Sequence, residues 1–130
     1  MPHANETAIR ELYDAFASGE MTVVDRLLAD DVTWHAPGKA QHAGVRRGKP
    51  ELYASMGRLA ELTRGTLRSE VVDVLANDQR AVVVQVTRAE RDDRPALHDR
   101  EVIVYELRDG RVIEVWEHPG DLDAMDAFFA

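Results

Sequence analysis

Apolar residues in the first half of the chain recur at the spacing of amphipathic helices. A first helix is predicted over 7–18, with Asn5 or Thr7 as its cap and Gly19 at its end. A shorter helix follows and stops at Ala29-Asp30-Asp31, and a third begins at Pro50 and ends at Gly65. The apolar faces of these three helices consist of Ala8, Ile9, Leu12, Tyr13 and Phe16, then Val23, Val24, Leu27 and Leu28, then Leu52, Tyr53, Met56, Leu59, Ala60 and Thr63.

After Gly65 the apolar period changes from about 3.6 to 2, which predicts strands. Asp109-Gly110 is a strong hairpin signal between the last two of them. A shorter β-branched and aromatic run, closed by Pro37-Gly38, predicts an earlier strand. The predicted strands cover 32–36, 67–76, 80–91, 98–108 and 111–118, with an exposed basic loop over 39–48, a polar loop over 91–95 and a final helix over 121–129.

Helices are thus segregated from a run of antiparallel strands, which indicates the α+β class. We expect one domain over 1–130, in which a curved antiparallel sheet has the helices on its concave side. A bent sheet cannot fill its own concavity, so the space between sheet and helices is a natural site for a small molecule.

Composition narrows the classes of partner. The chain has 130 residues, a net charge of -8 and no cysteine. An acidic surface repels nucleic acid, and the lack of cysteine excludes disulfides and thiolate metal sites and suits a cytoplasmic location. The segment 1–7 is short and polar, so no signal peptide is expected, and no apolar run approaches the length of a membrane span.

The histidines lack the one-turn pairing of a zinc helix, so we predict no metal site and no cofactor. They are His3, His35, His42, His98 and His118. Gly44 and Gly48 flank Arg46-Arg47, which either meets an anionic group or lies in a solvated loop.

The sequence resembles the nuclear transport factor 2-like superfamily, and most closely its SnoaL-like, ketosteroid isomerase-related branch. The resemblance rests on Tyr13-Asp14-Ala15-Phe16 with Gly19, Leu28-Ala29-Asp30-Asp31-Val32, Trp34-His35 with Pro37-Gly38, Gly44 and Gly48, Asp109-Gly110-Arg111-Val112 and Trp116-Glu117-His118. It implies a cone-shaped, cystatin-like fold. The superfamily holds isomerases, dehydratases, epoxide hydrolases, cyclases and proteins without catalysis, so the resemblance leaves the chemistry open.

The catalytic positions of the steroid isomerases fall here on apolar residues. A gap-free reading places their general base at Ala36 and their oxyanion-stabilising tyrosine and acid near Leu12 and Ile103. The arginine and aspartate pair of the limonene-type epoxide hydrolases is not evident between Val82 and Arg88. The resemblance therefore points instead to the polar group that this branch commonly carries near its final strand.

Glu117, His118 and Asp121 are the candidate catalytic residues in that region. Side chains alternate along a strand, so Ile113, Val115 and Glu117 share the apolar and presumed concave face. Burial would raise the pKa of Glu117 and suit it to acid or base work, whereas at the rim it would only form an ion pair.

A bulge near Trp116 would reverse this parity and turn His118 inward instead. Asp121 then either orients the His118 imidazole or caps the last helix.

Candidate substrate-binding residues complete the predicted site. Trp34 either lines the pocket, with its indole N–H available to a substrate oxygen, or packs in the core. His35 takes the opposite strand face and either reaches the pocket mouth or has a structural role. The remaining candidates are Tyr13, Phe16, Tyr53, Met56 and Trp116.

The predicted function is a cofactor-free acid–base enzyme acting on a small apolar organic molecule, of the isomerase, cyclase, dehydratase or hydrolase type. The alternatives are a non-catalytic binding module and a pure dimerisation module. A homodimer is expected in any case, because the outer sheet face is apolar and a symmetric partner is the simplest cover for it. That face carries Val82, Val84, Val86, Val102 and Val104.

Overall fold

The computed structural model describes residues 1–130, which form four helices and six strands. In chain order they are α1 (Ala4–Ser18), α2 (Met21–Leu27), β1 (Leu28–Ala36), β2 (Gly44–Arg47), α3 (Lys49–Leu62), β3 (Arg68–Ala76), β4 (Arg80–Arg91), β5 (Arg94–Arg108), β6 (Arg111–His118) and α4 (Leu122–Phe129). The predicted α+β class is confirmed.

Helix α1 begins earlier than the sequence predicts. His3 is its cap and accepts a hydrogen bond at Nδ1 from the Asn5 backbone N–H (3.0 Å). Asn5 lies inside the helix, where its Nδ2 donates to the Asn77 carbonyl (2.8 Å). The prediction of Asn5 or Thr7 as the cap was therefore wrong, whereas Gly19 ends the helix as expected, with φ of 73°.

The six strands form one sheet in the order β2-β1-β6-β5-β4-β3. Strands β3 to β6 are an antiparallel meander, as predicted, but β1 pairs in parallel with β6. The sheet is therefore mixed rather than wholly antiparallel. Between β1 and β6 the chain passes through α3 and the meander, and this long crossover is what a parallel pair requires.

Two predicted loops are partly strand. Gly44–Arg47 is β2 and pairs antiparallel with β1, inside the segment expected to be an exposed loop. Strand β5 begins at Arg94, so the connection from β4 is a tight turn in which Arg91 pairs with Arg94. Strand β1 already begins at Leu28, before the predicted start of the strand at 32. Leu28 and Val32 are buried, whereas Asp30 and Asp31 between them are exposed.

The helices pack on one face of the curved sheet, which we call the inner face. Burial alternates along β4 from Arg80 to Glu90 and along β5 from Ala96 to Arg108, so the odd-numbered residues of these stretches point inward and the even-numbered ones outward. A cluster of 17 buried apolar residues joins α1, α2 and α3 to this face, and a second cluster of five is formed by Ala89, Leu97, Met125, Phe128 and Phe129. None of the helices has the length and apolar content that a membrane span needs.

A bulge in β6 changes the predicted inner row of that strand. Leu107 pairs with Val112, whereas Glu106 pairs with Glu114, so Ile113 is the extra residue. Val112 is therefore buried on the inner face, contrary to the expected alternation. The bulge lies before Val115, so the parity at Glu117 is unaffected.

Candidate functional site

Glu117 points into the fold from the end of β6. It pairs with Ile103 of β5, a buried inner-face residue. The Trp34 indole Nε1 donates a hydrogen bond to Glu117 Oε2 (2.8 Å). Both side chains keep part of their surface accessible although they face inward. The inner face is thus not sealed here, and we call this accessible region around Trp34 and Glu117 the hollow.

The hollow changes the acidity of Glu117. Burial, reinforced by the charge of Glu101, raises the pKa of Glu117 to about 7. The hydrogen bond from Trp34 and the charge of Arg46 act in the opposite direction and only partly offset this. A carboxyl group with a pKa near neutrality can both release and accept a proton at the pH of most cells.

A chain of buried hydrogen bonds crosses the inner face beside Glu117. Tyr13 donates from its hydroxyl to Gln85 Oε1 (2.6 Å), so Tyr105 must donate to Tyr13 across the 2.7 Å between the two hydroxyls. Gln85 Nε2 donates to Thr87 Oγ1 (2.9 Å), and Thr87 donates to Glu101 Oε2. Every donor in this chain therefore points toward the carboxyl group of Glu101.

Glu101 is the second acid of the inner face. It is 2% exposed, and its Oε1 has no hydrogen-bond partner. Burial raises the pKa of Glu101, and the charge of Asp99 adds to this, whereas the bond from Thr87 acts against it.

Four inner-face residues were not predicted from the sequence, although the pattern contains the signal for them: Gln85, Thr87, Glu101 and Tyr105. The predicted outer face carries Val82, Val84, Val86, Val102 and Val104. The alternation then places the odd-numbered residues of the same strands inside, and these include the polar residues Gln85, Thr87, Asp99 and Glu101.

His118 and Asp121 lie outside the hollow. His118 pairs with Val102 and is exposed on the outer face, because the parity of β6 is not reversed near Trp116. Asp121 Oδ1 accepts from the Ala124 backbone N–H (3.0 Å) and caps α4. The predicted orientation of His118 by Asp121 is not formed, and the structural alternative of a helix cap is the one observed.

His35 and Trp116 also lie on the outer face, so neither lines the hollow. Their rings stack with centroids 5.5 Å apart, and His35 Nε2 lies 2.6 Å from Glu114 Oε2. Adjacent parallel strands bring these side chains together, since His35 pairs with Trp116. For His35 this is the structural role that the sequence left open.

The remaining candidates occupy the helices that cover the inner face. Tyr13 is buried in the hydrogen-bonded chain, and Phe16 and Met56 pack half-buried against the main core. The Tyr53 hydroxyl donates to Asp25 Oδ1 (2.9 Å), and burial followed by this hydrogen bond raises the pKa of Tyr53 to about 12. Trp34 packs its edge against Tyr105 and so serves both the core and the hollow.

Other parts of the surface offer less chemistry. An open depression of about 490 Å³ lies at the other end of β6 and contains none of the predicted site residues. No three histidine, cysteine, aspartate or glutamate side chains converge in a way that could hold a metal ion.

Comparison with known proteins agrees with this architecture. The family model for the SnoaL-like domain matches residues 9–115. The uncharacterized protein Rv0034 of Mycobacterium tuberculosis is 33% identical over 123 residues, which cover 94% of this chain and 93% of that protein.

Two solved structures show the same arrangement of strands and helices. Bal32a, from a soil-derived mobile gene cassette, superposes with a TM-score of 0.92 at 34% identity, covering 98% of this chain and 97% of that one. IdmH from Streptomyces antibioticus, for which a polyketide cyclase activity has been proposed, superposes with a TM-score of 0.76 at 21% identity, covering 95% and 96%. This chain belongs to the SnoaL-like domain family.

Proposed function

We propose that this protein binds a small organic molecule in the hollow and catalyses a proton transfer on it, with Glu117 as the acid–base group. The observation that carries this proposal is the environment of Glu117: an inward-facing, partly accessible carboxyl group, oriented by Trp34, with its pKa raised to about 7. No other inward-facing acid combines access with a pKa near neutrality.

The surrounding residues support this chemistry. Trp34 holds one carboxylate oxygen, which leaves the other oxygen of Glu117 free to take a proton from a bound molecule. The buried acid Glu101 disfavours a second negative charge nearby and so keeps Glu117 basic enough to accept that proton. In isomerase, cyclase or dehydratase chemistry the base takes such a proton from the bound molecule, and in a hydrolase the same group would take it from the attacking water.

A proton-transfer assay with a simple ketone tests the proposal without knowledge of the natural substrate. We expect the protein to accelerate exchange of the C2 hydrogens of 1-tetralone for deuterium in D₂O, followed by proton NMR. Glu117→Gln keeps the shape and the Trp34 contact but cannot accept the proton, so the protein-dependent rate should fall by about 100-fold or more.

Glu114→Gln is the matched control, because Glu114 lies on the same strand but faces outward toward His35. This variant should retain the wild-type rate. Equal exchange rates in wild type and Glu117→Gln, or no acceleration by the wild type, would contradict the proposed catalysis.

A non-catalytic binding module is the second candidate. The observation that favours it is the chain from Tyr105 to Glu101, in which the protein satisfies its own inner-face donors instead of leaving them for a substrate. For this candidate, 1-tetralone would shift the Trp34 indole NMR signal while its C2 hydrogens exchanged no faster than in buffer.

We further propose a homodimer formed through the outer face and a cytoplasmic location. The outer face is apolar and uncovered, with Val102 37% exposed and Val82, Val84, Val86 and Val104 partly exposed. The cytoplasmic location is supported by the absence of cysteine, which is typical of chains that need no disulfides.

A further inference from the structure

Arg46 lies on the inner face, beside the residues of the hollow. It pairs with Trp34 across β1 and β2, and Trp34 in turn pairs with Val115 across β1 and β6. Paired residues share a sheet face, so Arg46 points to the same side as Trp34 and Glu117. Its side chain is half-buried, whereas its neighbour Arg47 takes the opposite face and is exposed.

The guanidinium of Arg46 forms no salt bridge, although the chain carries a net charge of -8. Its hydrogen bonds run only to backbone carbonyls, from Nη1 to Ala43 (3.1 Å) and from Nη2 to His42 (3.4 Å). A guanidinium has five N–H donors, so several remain for another partner. A half-buried cation without an anion is uncommon, because burial without a counter-charge costs free energy.

The strand makes room for this side chain. A Cβ atom added to Gly44 would lie 2.3 Å from Arg46 Nη1, so the guanidinium occupies the space that any other residue would fill. Gly44 also has φ of 131°, a conformation that favours glycine. The charge of Arg46 reaches Glu117, since it lowers the pKa of that carboxyl group.

We propose that Arg46 is the anion-binding residue of the hollow and that the bound molecule is a small organic anion. Its negatively charged oxygen would accept from the free guanidinium N–H groups, and its apolar body would lie against Trp34 and within reach of Glu117. This inference rests on the proposed binding of a small molecule in the hollow and adds the charge class of that molecule.

Two probes of the same shape and different charge test it: 1-naphthoate and 1-naphthamide. Binding is followed at pH 6 by the Trp34 indole N–H signal in two-dimensional NMR. Trp116 provides an internal reference, because it lies on the outer face. We expect the wild type to bind naphthoate about tenfold more tightly than naphthamide, since hydrogen bonds between charged groups are the stronger ones.

Arg46→Gln should lose this preference and bind naphthoate and naphthamide with equal affinity. Arg47→Gln is the matched control and should keep the preference, because it removes the same charge from the other face. An Arg46→Gln variant that retains wild-type naphthoate affinity would overturn the inference.

The two proposals fail in different ways. If both probes shift Trp34 with equal affinities in the wild type, the anion preference is wrong and the binding hollow stands. If neither probe shifts Trp34, the hollow is not a binding site and both proposals are wrong.

Discussion

Glu117 owes its chemistry to its neighbours rather than to its own residue type. The other glutamate of this strand, Glu114, lies three positions earlier, faces outward and contacts His35. Only the inward position combines burial with a nearby buried acid, and these raise the pKa of Glu117 to about 7 against the opposing hydrogen bond from Trp34. Strand alternation predicts that Glu117 faces inward, but no local pattern predicts that its neighbours are Trp34 and Glu101.

The pKa of Glu117 predicts a pH dependence of stability. Between its ordinary value of 4.5 and about 7 the folded state binds more protons than the unfolded state, so the free energy of unfolding falls as pH rises. Glu117→Gln removes this contribution. Measured by urea denaturation, the variant should gain on the order of 2 kcal/mol relative to wild type between pH 4.5 and 7, and nothing more above pH 8.

Glu90→Gln provides the comparison for the loss of one charge, because Glu90 is exposed on β4. Its stability relative to wild type should stay level over the same range. If the difference in unfolding free energy between Glu117→Gln and wild type were also independent of pH, burial would not raise the pKa of Glu117.

At the scale of elements, α4 is held against the sheet by polar contacts at both ends. Asp99 of β5 accepts from the backbone N–H groups of Gly120 (3.1 Å) and Asp121 (3.0 Å), just before the helix. Within the helix, Asp126 Oδ1 accepts from the backbone N–H groups of Lys39 (2.8 Å) and Ala40 (3.2 Å). Sequence periodicity predicts the helix but not these contacts, since their partners lie on β5 and in the loop after β1.

Asp126→Ala should loosen α4 and the loop over 37–43 without unfolding the rest of the protein. The variant leaves two backbone N–H groups without their acceptor, which disfavours the docked helix. Amide hydrogen exchange over 122–129 should become faster on the order of tenfold.

Asp123→Ala is the matched control on the same helix, because Asp123 is exposed. Exchange in this variant should remain as in the wild type. Equal protection of α4 in both variants would show that Asp126 does not anchor the helix.

At the scale of the whole molecule, the two faces of the sheet differ in what covers them: the helices pack on the inner face, and the outer face is uncovered. The inner face carries the core, the chain from Tyr105 to Glu101 and the hollow. The outer face presents valines and the stacked pair of His35 and Trp116, and no element of the chain covers it. An uncovered apolar sheet face is a typical association surface, which is the basis of the proposed homodimer.

Val102→Lys should dissociate that dimer, because it places a charge in the centre of the uncovered face. Light scattering at micromolar concentration should give twice the chain mass of 14.6 kDa for the wild type and a single chain mass for the variant. Leu122→Lys, an exposed apolar position on α4, should leave the dimer intact. A monomeric wild type would contradict the proposed assembly.

Local pattern is enough to predict the helices, the meander and the inward direction of Glu117, because spacing along one segment determines which face is apolar. It does not predict that β1 lies beside β6, that β2 exists, or that β6 bulges at Ile113. Those features arise from pairing between segments that are distant in the chain, and the sequence of one segment does not indicate which other segment it pairs with. These pairings bring the Trp34 indole within hydrogen-bonding distance of Glu117 and direct Arg46 to the inner face. Which residues line the hollow is therefore decided by the tertiary structure.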